Sequence, residues 1–167
     1  MSKKLRVFLA NLGRHTRTFP LVTPPVGLLA LAAYLREKLP VDVQIVNQRL
    51  ENCEVDEVIR RARDFNADVV GFSCFTTSSH YLPDAVDQAR EALPNALIMV
   101  GGPHASSAKA HVLKECNAHV VVPGEGELTV TAVLQRYLEG TRAFDDIPGL
   151  IWRNDSGEIT INPGLIP

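Results

Sequence analysis

Five short, predominantly apolar runs, rich in β-branched residues, divide this sequence: Leu5–Leu12, Val41–Val46, Asp68–Cys74, Ala96–Val100 and Ala118–Val122. A strand wet on one face alternates apolar and polar residues, whereas a continuously apolar strand is covered on both faces. Covering both faces takes helices, and the gaps supply them. Residues 26–39, 54–65, 82–93, 108–116 and 127–138 carry apolar positions three and four apart with charges between. The alternation predicts five βα units and hence an α/β, Rossmann-like (flavodoxin-like) fold: a five-stranded parallel sheet with helices on both faces. Pro25 suits a first helical turn, Pro40 and Pro94 stop the helices before them, and Gly140 suits a C-terminal cap.

After residue 147 the rhythm changes. GLIWRN and EITIN flank Asp155-Ser156-Gly157, a turn between two short alternating strands, which predicts a β-hairpin. The expected organisation is a Rossmann-like domain over 1–147, an appended hairpin over 148–162, and the start of a linker over 163–167. At 167 residues, 46% of them hydrophobic, the chain can bury one sizeable core.

Composition narrows the partners. Seventeen Lys and Arg against nineteen Asp and Glu are interspersed, so no basic footprint for nucleic acid is expected. The apolar run near the N-terminus is too short for a signal segment or a membrane span. Three cysteines, Cys53, Cys74 and Cys116, lack CxxC spacing, which argues against a disulfide framework or an internal zinc or iron–sulfur site and fits a reducing cytoplasm.

In an open parallel sheet, ligands bind where the loops leave the strand carboxyl ends. Here those loops are chemically loaded: Asn11-Leu12-Gly13-Arg14-His15 after the first strand, running on to Pro24-Pro25-Val26-Gly27; Ser73-Cys74-Phe75-Thr76-Thr77-Ser78-Ser79-His80 after the third; Gly101-Gly102-Pro103-His104-Ala105-Ser106 after the fourth; and Pro123-Gly124-Glu125-Gly126-Glu127 after the fifth. Glycines let backbone approach a ligand closely, and hydroxyls bond it without bulk. No GxGxxG or P-loop follows the first strand, which weakens a nucleotide-binding reading. A tight turn at Gly101-Gly102, helix-end charge compensation by Glu125 and Glu127, and core packing of Cys74 stand as the plain alternatives.

Taken in order, TPPVGLLALAAYL, DVVGFSCFT, VGGPHAS, VVPGEGELT and IPGLIWRNDSGEI resemble the cobalamin-binding domain that precedes the catalytic barrel of cobalamin-dependent radical S-adenosylmethionine enzymes, the methyltransferases and the anaerobic magnesium-protoporphyrin monomethyl ester cyclases among them. The wider cobalamin-binding fold carries three motifs. Ser73-Cys74-Phe75 matches its Ser-x-Leu loosely, Gly101-Gly102 matches its glycine pair, and its Asp-x-His-x-x-Gly is absent, since His15 has no orienting aspartate. A cobalt-ligating histidine needs its second ring nitrogen held.

The resemblance therefore implies cobalamin bound base-off, with its tail swung into a slot and no histidine on the lower face of cobalt. It implies cofactor contacts from Asn11, Leu12, Gly27, Ser73, Cys74, Phe75, Thr76, Gly101, Gly102, Pro103, His104, Gly124, Glu125 and Gly126, with no catalytic or metal-ligating residue in the chain. The cluster-binding CxxxCxxC is missing, so a 4Fe–4S cluster and S-adenosylmethionine are expected only in a barrel outside these residues. A related domain that keeps the fold without cobalamin, or a flavodoxin-like regulatory domain, is the competing expectation.

Overall fold

The structure, a computed structural model, describes residues 4–14, 23–154 and 156–164. His15, Asp155 and the last three residues of the expected linker lie outside them. Strands β1 (Leu5–Leu12), β2 (Val41–Asn47), β3 (Val69–Cys74), β4 (Leu97–Gly101) and β5 (Val120–Val121) run parallel in the order β2-β1-β3-β4-β5. The expected hairpin forms as β6 (Ile151–Arg153) and β7 (Ile159–Ile161), and it extends the same sheet: β6 pairs antiparallel with β5, and β7 with β6.

Side-chain parity builds two cores. Phe8, Ala10 and Leu12 of β1 join Phe72, Cys74, Ile98 and Val100 on one face, beneath α3 (Val55–Asp64), α4 (Leu82–Ala92) and α5 (Gly102–Ala108) with the short α6 (Val112–Glu115). Leu5, Val7 and Leu9 join Val69, Leu97, Met99, Val120 and Val122 on the other, beneath α1 (Val26–Lys38) and α7 (Glu127–Leu138). Successive strand residues point to opposite faces, so the continuous apolar runs follow from cover on both. α1 buries Leu31, Ala32 and Leu35 yet leaves Val26 and Leu29 in solvent near the strand carboxyl ends.

Two elements differ from expectation. The segment expected as a loop before a helix over 108–116 is already helical: β4 passes at Gly101 directly into α5, which breaks at Lys109 (φ +50°) before α6. A short α2 (Gln48–Glu51) follows β2, capped by the Asn47 side chain, which accepts from Leu50 N–H at 3.3 Å. Both follow from local chemistry. Pro103 fits the first turn of a helix, and an Asn N-cap can start one too short to show a period.

β5 is short because a side chain takes over its ladder. Ile98 N–H donates to His119 Nδ1 at 2.9 Å, while His119 N–H donates to Ile98 O at 3.0 Å. The hairpin is locked by Asn162, whose Oδ1 accepts from Trp152 Nε1 at 3.1 Å and whose amide donates to the carbonyls of Ile147, at 2.8 Å, and Phe144. The Phe144 and Trp152 rings meet edge to face at 5.6 Å. Among the described residues no helix is long and apolar enough to cross a membrane.

Candidate functional site

Strand order reverses between β1 and β3, and a cavity of about 370 Å³ opens there at the carboxyl ends, on the face covered by α1 and α7. Its walls follow from register. Leu9 pairs with Gly71 and Gly71 with Met99, so these three form one row across the sheet; two residues on, Asn11 pairs with Ser73 and Ser73 with Gly101. The first row is the floor, completed by Leu31, Val122 and Val130, all buried. The second is a rim of short polar side chains and bare backbone. A slot with an apolar floor and a few placed polar groups at its mouth is the usual make-up of a small-molecule site.

Bare backbone is required at one position of the cavity and is free to carry a side chain at another. Gly102 sits at φ +84°, and a Cβ there would run into the Ser73 hydroxyl while coming within 3.4 Å of Cys74 N. Glycine alone permits both the conformation and the approach. Gly27, on α1 at the cavity wall, is the opposite case: among the described residues, a Cβ there would meet nothing within 4 Å outside its own helical turn.

Ten of the fourteen residues singled out in the sequence line this cavity: Asn11, Gly27, Ser73, Phe75, Gly101, Gly102, Pro103, Gly124, Glu125 and Gly126. Four do not. Leu12 and Cys74 alternate with Asn11 and Ser73, so they point into the opposite core, where burial pushes the Cys74 thiol up to about 12 and Cys116 and Glu115 add to the shift. His104 is buried at 4% exposure against that same side. Its Nε2 lies 3.0 Å from Glu115 Oε2 and its Nδ1 3.3 Å from the hydroxyl of Thr76, an arrangement that holds the ring beneath α5 and away from the slot. None of the described histidines lines the cavity; His80 is exposed and packs on Tyr81 with ring centroids 4.1 Å apart.

Several lining residues escaped the sequence reading. Leu9, Gly71 and Met99 were legible in principle, because each sits two positions before Asn11, Ser73 or Gly101 on the same face. Ser106 stands in the loaded loop after the fourth strand but was not among the expected contacts; it reaches the cavity because α5 begins at once, and its hydroxyl donates to Gly102 O at 3.0 Å and accepts from Gly124 N–H at 2.9 Å. In register with the rim, Asn47 Oδ1 accepts from Asn11 Nδ2 at 3.3 Å. Gln48, wholly buried, accepts from Gly13 N–H at 2.9 Å and donates to Cys53 O at 3.1 Å, which fixes the exit of β1.

An open parallel sheet with a slot at its switch point defines a ligand-binding domain of the doubly wound class. The chain belongs to the B12 binding domain family, whose model matches residues 15–134. It is 29% identical over 174 residues to cytidylyl-2-hydroxyethylphosphonate methyltransferase of Streptomyces wedmorensis, covering 93% of this chain and 32% of that protein. It is 27% identical over 147 residues to the anaerobic magnesium-protoporphyrin IX monomethyl ester cyclase of Rubrivivax gelatinosus, covering 86% and 26%. Among solved structures, the cobalamin-dependent S-adenosylmethionine radical enzyme OxsB with aqua-cobalamin and S-adenosylmethionine bound matches over 99% of this chain and 23% of that one, with a TM-score of 0.84 at 20% identity. The chain thus spans between 23% and 32% of the length of these relatives.

Proposed function

We propose that the chain binds cobalamin at the carboxyl edge of its sheet, with the corrin over the rim and the dimethylbenzimidazole tail, released from cobalt, in the slot. The observation that carries this reading is the pair of rows across β1, β3 and β4. A floor of Leu9, Gly71 and Met99 suits an aromatic base, and a rim of Asn11, Ser73 and Gly101 suits the ribose, phosphate and amide groups attached to it. A cavity of about 370 Å³ suits a nucleotide-sized tail, leaving the macrocycle outside. Gly27, with open space where a side chain would stand, leaves room beside the tail. Gly124, Glu125 and Gly126 offer backbone and carboxylate at the corrin periphery, and Phe75 and Pro103 offer apolar edges.

Bound cobalamin supplies organocobalt chemistry; the residues of this chain bind and orient it. The lower face of cobalt carries no histidine on this reading. The wider role is that of a cobalamin-binding module, residues 1–147 with the hairpin of 148–162, joined through 163–167 to a radical S-adenosylmethionine barrel with its 4Fe–4S cluster. Relatives named as a methyltransferase and as a cyclase support that setting, with methyl transfer or oxidative cyclisation as the reaction of the whole.

The chain is mixed with hydroxocobalamin, freed of excess by gel filtration, and its visible spectrum recorded. Corrin absorbance in the protein fraction is expected. Its absence sinks the reading and favours a domain that keeps the fold without the cofactor. Reduction to cob(II)alamin then tests the ligation: an electron paramagnetic resonance spectrum without nitrogen superhyperfine splitting is expected, and a nitrogen-split spectrum overturns the base-off, histidine-free arrangement.

A further inference from the structure

We infer that Ser106 is a positioning residue that latches the two glycine walls of the slot at a fixed separation, so that the tail of cobalamin meets a preformed site; this rests on the cobalamin reading above. The last bond of the strand ladder between these two walls is Val122 N–H to Val100 O, at 2.8 Å. Past that point the chains diverge, one into α5 and the other into the loop before α7. One hydroxyl then spans them: Ser106 Oγ donates to Gly102 O and accepts from Gly124 N–H.

Both partners are left-handed glycines, at φ +84° and +73°, and all three residues line the cavity. Glycines are the residues least able to hold a conformation unaided, because the unfolded and alternative states open to them are the most numerous. A hydroxyl four residues into a helix that bonds back to the i−4 carbonyl is a common local motif. Here its remaining acceptor capacity reaches a second loop. Without it, Gly102 and Gly124 move independently, and the tail must order both walls as it enters, a cost that appears as weaker binding.

Two ligand titrations, each on three chains, and one ligand-free measurement test this. Hydroxocobalamin and cobinamide, which lacks the nucleotide tail, are titrated into the wild-type chain, S106A and S106T. For S106A, cobalamin binding is expected to weaken about five- to thirty-fold, the equivalent of one or two ordinary hydrogen bonds, with cobinamide binding unchanged. S106T, which keeps the hydroxyl, is expected to restore cobalamin binding. In the corrinoid-free chain, amide hydrogen exchange at Gly124 is expected to accelerate in S106A and to stay slow in S106T. Equal loss of both corrinoids marks a general structural role and overturns the proposal, as does wild-type cobalamin binding by S106A. If the wild-type chain retains neither corrinoid, the cobalamin reading fails and takes the positioning role with it, while exchange at Gly124 still reports whether the latch exists.

Discussion

Membership of the slot is decided residue by residue through strand parity: Asn11 and Ser73 face it, while Leu12 and Cys74, one position on, face the opposite core. Gly102 is held to glycine by its positive φ and by the Ser73 hydroxyl. Gly102→Ala is expected to destabilise the fold by about 1–3 kcal/mol, and Ser73→Ala in the same chain to recover part of that loss, because the hydroxyl is one of the two causes. Urea unfolding of the single and double variants checks it; strictly additive effects would show that the two residues do not compete for space. His119 supplies a pH dependence. Burial, with Arg90 at 2.7 Å and Arg142 and Arg153 nearby, lowers its pKa from 6.5 to about 4. As pH falls from about 6.5 to about 4, the unfolded chain takes up a proton that the folded chain refuses, so stability is full above the window and declines through it. His119→Asn, which keeps an acceptor for Ile98 N–H and does not titrate, is expected to flatten that decline in melting temperature measured across the window.

At the scale of elements, the hairpin shows how a short appendage becomes part of the core. Its strands are three residues each, too short to stand alone, and Asn162 ties Trp152 to the carbonyls of Phe144 and Ile147. Asn162→Leu would leave a buried indole N–H without its partner and strip one bond from each of two carbonyls that keep a backbone donor, Ile147 N–H on Phe144 O at 3.1 Å and Leu150 N–H on Ile147 O at 3.3 Å, and a loss of about 2 kcal/mol in urea unfolding is expected, against about 0.5 kcal/mol or less for the exposed Ile161→Thr. A loss near the Ile161 value for Asn162→Leu would show that water or backbone shifts replace the bonds. The sequence makes the long elements legible because burial on both faces writes continuous strands, and helices of three turns write a period. It hides α2 and the early start of α5, which span four and seven residues and owe their existence to an Asn cap and a proline. The same limit hid the role of Ser106, not its presence. Read as a loop, VGGPHAS offers two glycines, a histidine and a serine; folded as strand into helix, it buries His104 and brings the serine to the slot.

At the scale of the whole molecule, the two cores and the slot occupy different places, so stability and binding are separable. The cores lie on the faces of the sheet along the strands, whereas the slot opens at one end and borrows only its floor from the α1–α7 side. Gly27 tests that separation most directly. It sits in the first turn of α1, costs helix stability as any glycine does, and among the described residues has no atom outside its own helical turn within 4 Å of where a Cβ would stand. A fold selected only for stability would place alanine there, worth about 0.5–1 kcal/mol. Retention of glycine is understandable if the space beside it is used. Gly27→Ala is therefore expected to raise the melting temperature, and Gly27→Phe to leave the fold at least as stable as wild type while its ring occupies the slot and abolishes cobalamin retention in the gel-filtration assay. A Gly27→Phe chain that unfolds would show that the open wall belongs to the core after all; one that folds and still carries the corrin spectrum would move the tail out of this slot.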